Sequence, residues 1–126
     1  MNIFILDNDP VKAAQMQCDK HVVKMIVESA QMLSTVHRML DGDSREDILY
    51  KACHFNHPST VWTRESSDNY MWHYDHFVAL CYEYRYRYGK VHKTEKVLKH
   101  HLRHLPDNIK NLGLTPFKLA MAQFPE

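Results

Sequence analysis

Glycine is scarce in this chain, three residues in 126, and that scarcity rules out a good deal of chemistry. Phosphate-cradling loops of the P-loop and dinucleotide-binding types need closely spaced glycines for backbone approach, and no such cluster exists. A G-x-S-x-G nucleophile elbow is also absent. No apolar run approaches the ~20 residues of a membrane span. The opening MNIFILDNDP is too short for a signal peptide. The expected location is therefore the cytoplasm, with no membrane partner. Three cysteines, Cys18, Cys53 and Cys81, are odd in number and widely spaced, so reduced, buried thiols are expected rather than a disulfide framework.

What is present describes an ordinary globular protein. Hydrophobic residues make up 44% and charged residues 25%. The length suits one domain spanning residues 1–126. A formal net charge of +1 conceals an uneven distribution. Residues 85–118 hold nine Lys or Arg against two acids, a local +7, and the rest holds seven against thirteen, a local −6. Four of the ten histidines (His92, His100, His101 and His104) lie in the basic part. Such a concentration suits contact with a polyanion, although a lysine-rich exposed helix needs no partner.

The local pattern is helical almost throughout. Asn2–Leu6 is a short apolar opening, and Asp9-Pro10 reads as an N-cap followed by a first-turn proline, starting a helix to about Cys18. A long helix follows from Asp19 to Leu40, with Val22, Val23, Met25, Ile26, Ala30, Leu33, Val36 and Leu40 as its apolar face. Asp41-Gly42-Asp43 is a turn, and Ser44 with Asp47 resembles a capping box for a helix to about Cys53. His54–Pro58 is a loop, because proline disfavours helical geometry at the residue before it. Helix resumes near Ser59, continues or restarts at Ser67, and ends at Gly89 on a stripe of Tyr70, Tyr74, Phe77, Val78, Cys81 and Tyr84. Tyr82 to Tyr88 alternates with period two, as a strand would. With no turn signal before it, the helix is retained. Thr94 is the expected cap of a basic helix to Leu105, and Thr115-Pro116 begins a final helical turn. The fold expected is an all-α, compact helical bundle with two long helices packed together.

Steps of three and four along the first long helix place His21, Lys24, Glu28, Gln31 and Thr35 in one row. An imidazole, an ammonium, a carboxylate and an amide side by side form an acid/base and anion-holding surface. A solvated face with a Lys24–Glu28 pair, worth ~0.2–0.5 kcal/mol, would carry the same residues. Cys18 and His21 with Cys53 and His57 match no strong zinc spacing. His73 with His76 and His100 with His104 have chelating spacing but read as surface residues. No metal and no cofactor is expected.

Two further stretches suit a nucleic acid. His57, Trp62, Arg64 and Asn69 cluster around helix starts, where backbone N–H groups favour phosphate and aromatic faces stack on bases. Trp72 reads as core, and Trp62 as either. Tyr84, Arg85, Tyr86, Arg87, Tyr88, Lys90, His92 and Lys93 interleave rings and cations, although about two of the tyrosines can share one helical face.

The order of these pieces resembles small bacteriophage proteins related to the pyrimidine-dimer DNA glycosylase (endonuclease V) family. The resemblance rests on the striped first helix (Gln15 to Leu40), the Asn56-His57-Pro58 loop before a second long helix (Trp62 to Leu80), and the stretch from Glu83-Tyr84 to Tyr88-Gly89-Lys90. It implies an all-α fold. It also implies excision of a damaged pyrimidine by attack of the N-terminal amine on the sugar, through an imine, beside a glutamate on the first long helix. By position Lys20 and Lys24 match the family's phosphate-holding cations, and Glu28 is the nearest carboxylate. His21 occupies the register of the family's glutamate. The amine would be that of Met1, since Asn2 disfavours methionine removal, and the chain ends at Pro125-Glu126, before the family's aromatic DNA-embracing tail. The residues expected to carry chemistry are thus Glu28, His21 and Lys24. Lys20, Gln31, His57, Trp62, Arg64, Asn69, Tyr84, Arg87, Lys90, His92 and Lys93 are expected to hold a nucleic acid or nucleotide. The alternative expectation is a non-catalytic protein that sequesters nucleotides or inhibits a host factor. The sequence sets no oligomeric state.

Overall fold

The computed structural model describes residues 9–42 and 48–116. The apolar opening, the Met1 amine, the Ser44–Asp47 capping box and the turn beyond Pro116 lie outside them. The described residues are 67% helical, with no strand, in five helices: α1 (Pro10–Gln15), α2 (Asp19–Asp41), α3 (Pro58–Glu65), α4 (Ser67–Tyr88) and α5 (Lys93–Leu102). This is the all-α fold expected.

Capping sets most of the boundaries. The Asp9 carboxylate accepts the N–H groups of Val11 (2.8 Å) and Lys12 (3.3 Å), and Pro10 fills the first position of α1. Ser66 Oγ accepts Asn69 N–H (3.0 Å), so α4 restarts after α3 rather than continuing it. Gly89, at φ 69°, closes α4 in the left-handed conformation that L side chains resist. The stretch from Tyr82 to Tyr88 is helical, so the apolar periodicity before it outweighs the local alternation.

Helix α4 is central, and α1, α2, α3 and α5 all pack on it. The core of α2 contributes Val22, Met25, Ile26, Ala30, Leu33 and Val36, which meet Tyr70, Phe77, Leu80 and Cys81 of α4 and Leu98 and Leu102 of α5 in one cluster. Val23, expected on the buried face, is 37% exposed at its edge. Tyrosine hydroxyls join the layers. Tyr70 donates to Leu102 O (2.6 Å), so its oxygen accepts from His37 Nε2–H (2.7 Å), and Tyr74 donates to Lys99 O (2.9 Å).

Four expectations are corrected. Residues 48–53 are not helical. Side chains of α2 take over their backbone hydrogen bonds: Arg38 donates to Leu49 O (3.0 Å) and Tyr50 O (2.8 Å), and Ser34 Oγ accepts Tyr50 N–H (3.3 Å). Thr35 Oγ1 accepts Cys53 N–H (3.0 Å) and lies 2.8 Å from Cys53 O and from Gln31 O, which share its proton. With the backbone satisfied in this way, the segment crosses α2 as an extended strap. The cap of α5 is His92, whose Nδ1 accepts Thr94 N–H (3.1 Å); Thr94 is buried with its hydroxyl 2.8 Å from Tyr50 OH. His73 and His76 are fully buried rather than on the surface. Of the thiols, only Cys81 is buried; Cys53 is half-buried and Cys18 exposed.

Candidate functional site

The polar row of α2 survives folding, but it ends at Gln31. Thr35 is buried and committed to the strap. Lys20 and Lys24 are exposed, while His21, Glu28 and Gln31 are half-buried. Glu28 makes no ion pair with Lys24, and its buried Oε2 has no hydrogen-bond partner among the described residues. A buried acceptor left unsatisfied costs roughly 1–3 kcal/mol, more when charged, so the position asks for an explanation.

The strap brings one histidine, His54, to this row, and His57 follows it at the start of α3. His54 has φ 58°, unusual for a residue other than glycine. Its Nε2 lies 3.3 Å from Gln31 Oε1, so the ring is held over α2 by a donor–acceptor contact. One turn on, His57 N–H bonds to His54 O (3.2 Å), and His57 Nδ1 accepts Ser59 N–H (3.1 Å) as the cap of α3. Burial, aided by the charge of His54, holds the His57 imidazole below its ordinary pKa. With Nδ1 accepting, the neutral ring carries its proton on Nε2 as a donor. A carboxylate, an ammonium and imidazoles of fixed tautomer are the parts of an acid/base site.

The remaining expected site residues divide sharply. Trp62 is fully buried, edge-on to Trp72 (ring centroids 6.0 Å), and its Nε1 donates to Thr115 O (3.2 Å). Asn69 is also fully buried: its Nδ2 donates to Trp62 O (2.7 Å) and Thr115 Oγ1 (2.9 Å), and its Oδ1 accepts Thr115 N–H (2.9 Å). Both side chains hold the structure together and present nothing to a ligand. Arg87 reaches inward to Gln17 O (2.8 Å), Gln15 O (3.2 Å), Asp19 (3.0 Å) and Glu83 (3.0 Å), fastening the α1–α2 corner to α4. Tyr84 lies between a tilted Tyr88 ring and an edge-on His92 ring, each 4.9 Å away by ring centroid, while Tyr82 and Tyr86 point outward, 61% and 80% exposed. Arg64 is half-buried, with Nη1 on Phe55 O (2.7 Å).

Lys90 and Lys93 are exposed, and they open a basic face that sequence reading gave only in part. Lys93, Lys96, His100 and Arg103 are all exposed at helical spacing on the outer side of α5. The one acid of that helix, Glu95, is turned inward onto Arg85 (3.1 Å) and Lys99 (3.5 Å). The spacing of three and four was the available signal for this row. For His54 there was none, since its role comes from the strap. Burial pushes the thiols of Cys53 and Cys81 up, so neither offers a thiolate at neutral pH. Among the described residues no three His, Cys, Asp or Glu side chains gather as metal ligands, and the Cys18, His21, Cys53 and His57 set is not assembled. No helix among them is long and apolar enough to cross a membrane.

Comparison with protein-family models, with curated proteins and with solved structures returns no match.

Proposed function

We propose that this protein binds nucleic acid on the outer face of α5, and that the α2 row with His54 and His57 is the acid/base centre that acts on it. The observation that carries the binding reading is the row of exposed Lys93, Lys96, His100 and Arg103, whose only helical acid faces the other way. Such a row matches the spaced charges of a phosphate backbone. The test is affinity for duplex DNA against salt. Log affinity falls linearly with log salt, by about 0.9 per phosphate neutralised. Reversing the charge of Lys90, Lys93 and Lys96 flattens that slope without unfolding the protein. Affinity indifferent to salt overturns the reading.

The unsatisfied Oε2 of Glu28 favours a catalytic role over binding alone. In a base-excision reaction an amine of this chain attacks C1′ of the damaged nucleotide, and the C1′–N bond breaks as the base leaves with a proton. The C1′–O4′ bond then opens, O4′ taking the amine's remaining proton, and the product is an imine between the amine nitrogen and C1′. Glu28 stabilises the positive charge that develops on the sugar, and His57 Nε2–H donates to the departing base. Borohydride reduces the imine to a stable amine, so it traps protein on damaged DNA when this step occurs. Salt-dependent binding without trapping selects the non-catalytic alternative, a nucleotide-sequestering or inhibitory protein.

A further inference from the structure

Residues 107–115 have no regular structure, yet helix ends and side chains fix them along their length. Asp41, at the end of α2, accepts the N–H groups of Asp107 (2.7 Å) and Asn108 (3.0 Å), and Asn108 Nδ2 donates to Leu40 O (3.0 Å). The first N–H groups of α4 continue the attachment, Ser67 to Lys110 O (2.8 Å) and Asp68 to Leu112 O (3.3 Å). Asn69 and Trp62 then hold Thr115. A segment pinned at both ends and in the middle makes one wall of a cleft of about 540 Å³, with α3 and the end of α2 as the others. That volume lies within the range of small-ligand sites.

The lining is of three kinds. Leu40, Val61 and Leu112 supply apolar surface, and Arg64 and Lys110 supply two cations from different elements. Asn108, Thr115 and one carboxylate, Glu65, complete it, with Glu65 Oε1 accepting from Thr115 Oγ1 (3.4 Å). Neither cation has an acidic partner among the described residues. Arg64 is oriented by one edge only: Nη1 meets Phe55 O (2.7 Å) and Met39 Sδ (3.4 Å), while Nε and Nη2 make no hydrogen bond among the described residues. An oriented guanidinium with open N–H donors matches a phosphate bidentately. A second cation on the facing segment leaves the cleft net positive despite the Glu65 carboxylate, which Thr115 engages. The apolar walls and the volume exceed what an inorganic ion needs and suit a flat organic body attached to it.

We propose that this cleft binds a nucleoside monophosphate unit, with its phosphate on Arg64 and Lys110 and its base against Leu40, Val61 and Leu112. The unit is either a free nucleotide or the phosphorylated end of a strand. The proposal is independent of the α5 face and of the Glu28 row.

Calorimetric titration of the full chain tests it, using the four deoxynucleoside 5′-monophosphates, the matching nucleosides, inorganic phosphate and a 5′-phosphorylated oligonucleotide. At least one monophosphate is expected to bind more tightly than its nucleoside and than phosphate. Lys110→Ala and Arg64→Lys should each weaken it about tenfold or more, while Lys96→Ala on α5 leaves it unchanged. Arg64 also anchors Phe55, so Lys110→Ala carries the test if the Arg64 variant fails to fold. Competition by the phosphorylated oligonucleotide, but not by its unphosphorylated form, assigns the site to strand ends. Absence of competition assigns it to free nucleotides. The proposal is overturned if no monophosphate binds at millimolar concentration, if inorganic phosphate binds as tightly, or if Lys110→Ala has no effect.

Discussion

Arg87 gives the sharpest test of how this structure divides its cations, because sequence order places it among the nucleic-acid-facing residues and the fold uses it internally. Its side chain is 18% exposed and meets two carboxylates and two backbone carbonyls. Of the carboxylates, Asp19 is 69% exposed and loses little when released, whereas Glu83 is 11% exposed and would be left charged against protein. Removing one partner of a buried pair costs ~3–5 kcal/mol, and the orphaned carbonyls of Gln15 and Gln17 add to that. Arg87→Ala should therefore lower stability by about 3–5 kcal/mol, read as a fall in the urea midpoint at unchanged m-value. The double variant Arg87→Ala/Glu83→Gln should be milder than the single, because no unpaired charge remains. Arg87→Lys keeps the charge and loses the four-way fork, so it should lie between. Whatever protein remains folded should bind DNA as the parent does. A stable Arg87→Ala variant with weakened DNA binding would falsify this division.

Other outcomes follow from the same structure. His73 is fully buried, with Nδ1–H donating to Thr63 Oγ1 (2.8 Å), whose own proton goes to Ser59 O. Burial, with the nearby His76 charge, lowers its pKa from 6.5 to about 3. The unfolded chain therefore takes up a proton that the fold refuses: this stability is intact above pH 6.5 and is lost as pH falls toward 3, at about 1.4 kcal/mol per pH unit. His57 and His92, also lowered by burial, act in the same direction, while Asp75, raised by burial, opposes them at lower pH. Urea midpoints at pH 7, 6 and 5 should fall, and His73→Asn should remove one proton's worth of the slope; an unchanged slope overturns the assignment. Lys24→Ala and Glu28→Ala should each cut ligand binding or turnover strongly with thermal stability almost unchanged. A loss of only a few tenths of a kcal/mol with no functional effect is instead the mark of a solvated helix pair. Asn69→Ala should release the 107–115 wall, seen as faster amide exchange at Lys110, Leu112 and Thr115.

Helices and caps were legible in the sequence because they depend on neighbours three or four residues away. Asp9-Pro10 before α1 and Gly89 after α4 act locally and are found in place, whereas the sequence left open whether α4 restarts and placed the cap of α5 at Thr94 instead of His92. The strap was not legible. Its sequence has helical character, and what keeps it extended is Ser34, Thr35 and Arg38, which lie 11–18 residues earlier on another element. The same distance effect misplaced His73 and His76. A histidine pair on a helix reads as polar, and only tertiary partners, Thr63 for one and Gln17 (3.4 Å) with Pro10 O (3.0 Å) for the other, make burial tolerable. Within the candidate site, the α2 row was visible as a spacing. Arg87 and Asn69 were visible only as residue types, and type alone does not say whether a side chain turns out to solvent or in to a carbonyl.

The two irregular segments share a design that bears on function. Each is an extended stretch whose backbone is satisfied by helix side chains or helix ends rather than by a strand partner, and each carries ligand-capable groups on its far side. The strap presents His54 to Gln31 of the α2 row, and the 107–115 segment presents Lys110 across from Arg64. Side chains on pinned segments keep their positions before any ligand arrives, so binding there does not bear the cost of ordering a loop. The anchors include Ser34, Thr35 and Arg38 for the strap and Asp41, Trp62 and Asn69 for the 107–115 segment, and their loss would blunt the sites without touching a ligating atom. Thr35→Val separates the two kinds of damage. It nearly conserves the volume of the core and removes only the hydroxyl that holds Cys53. Helical content should therefore persist, while the Gln31–His54 contact and any activity of the Glu28 row are lost together.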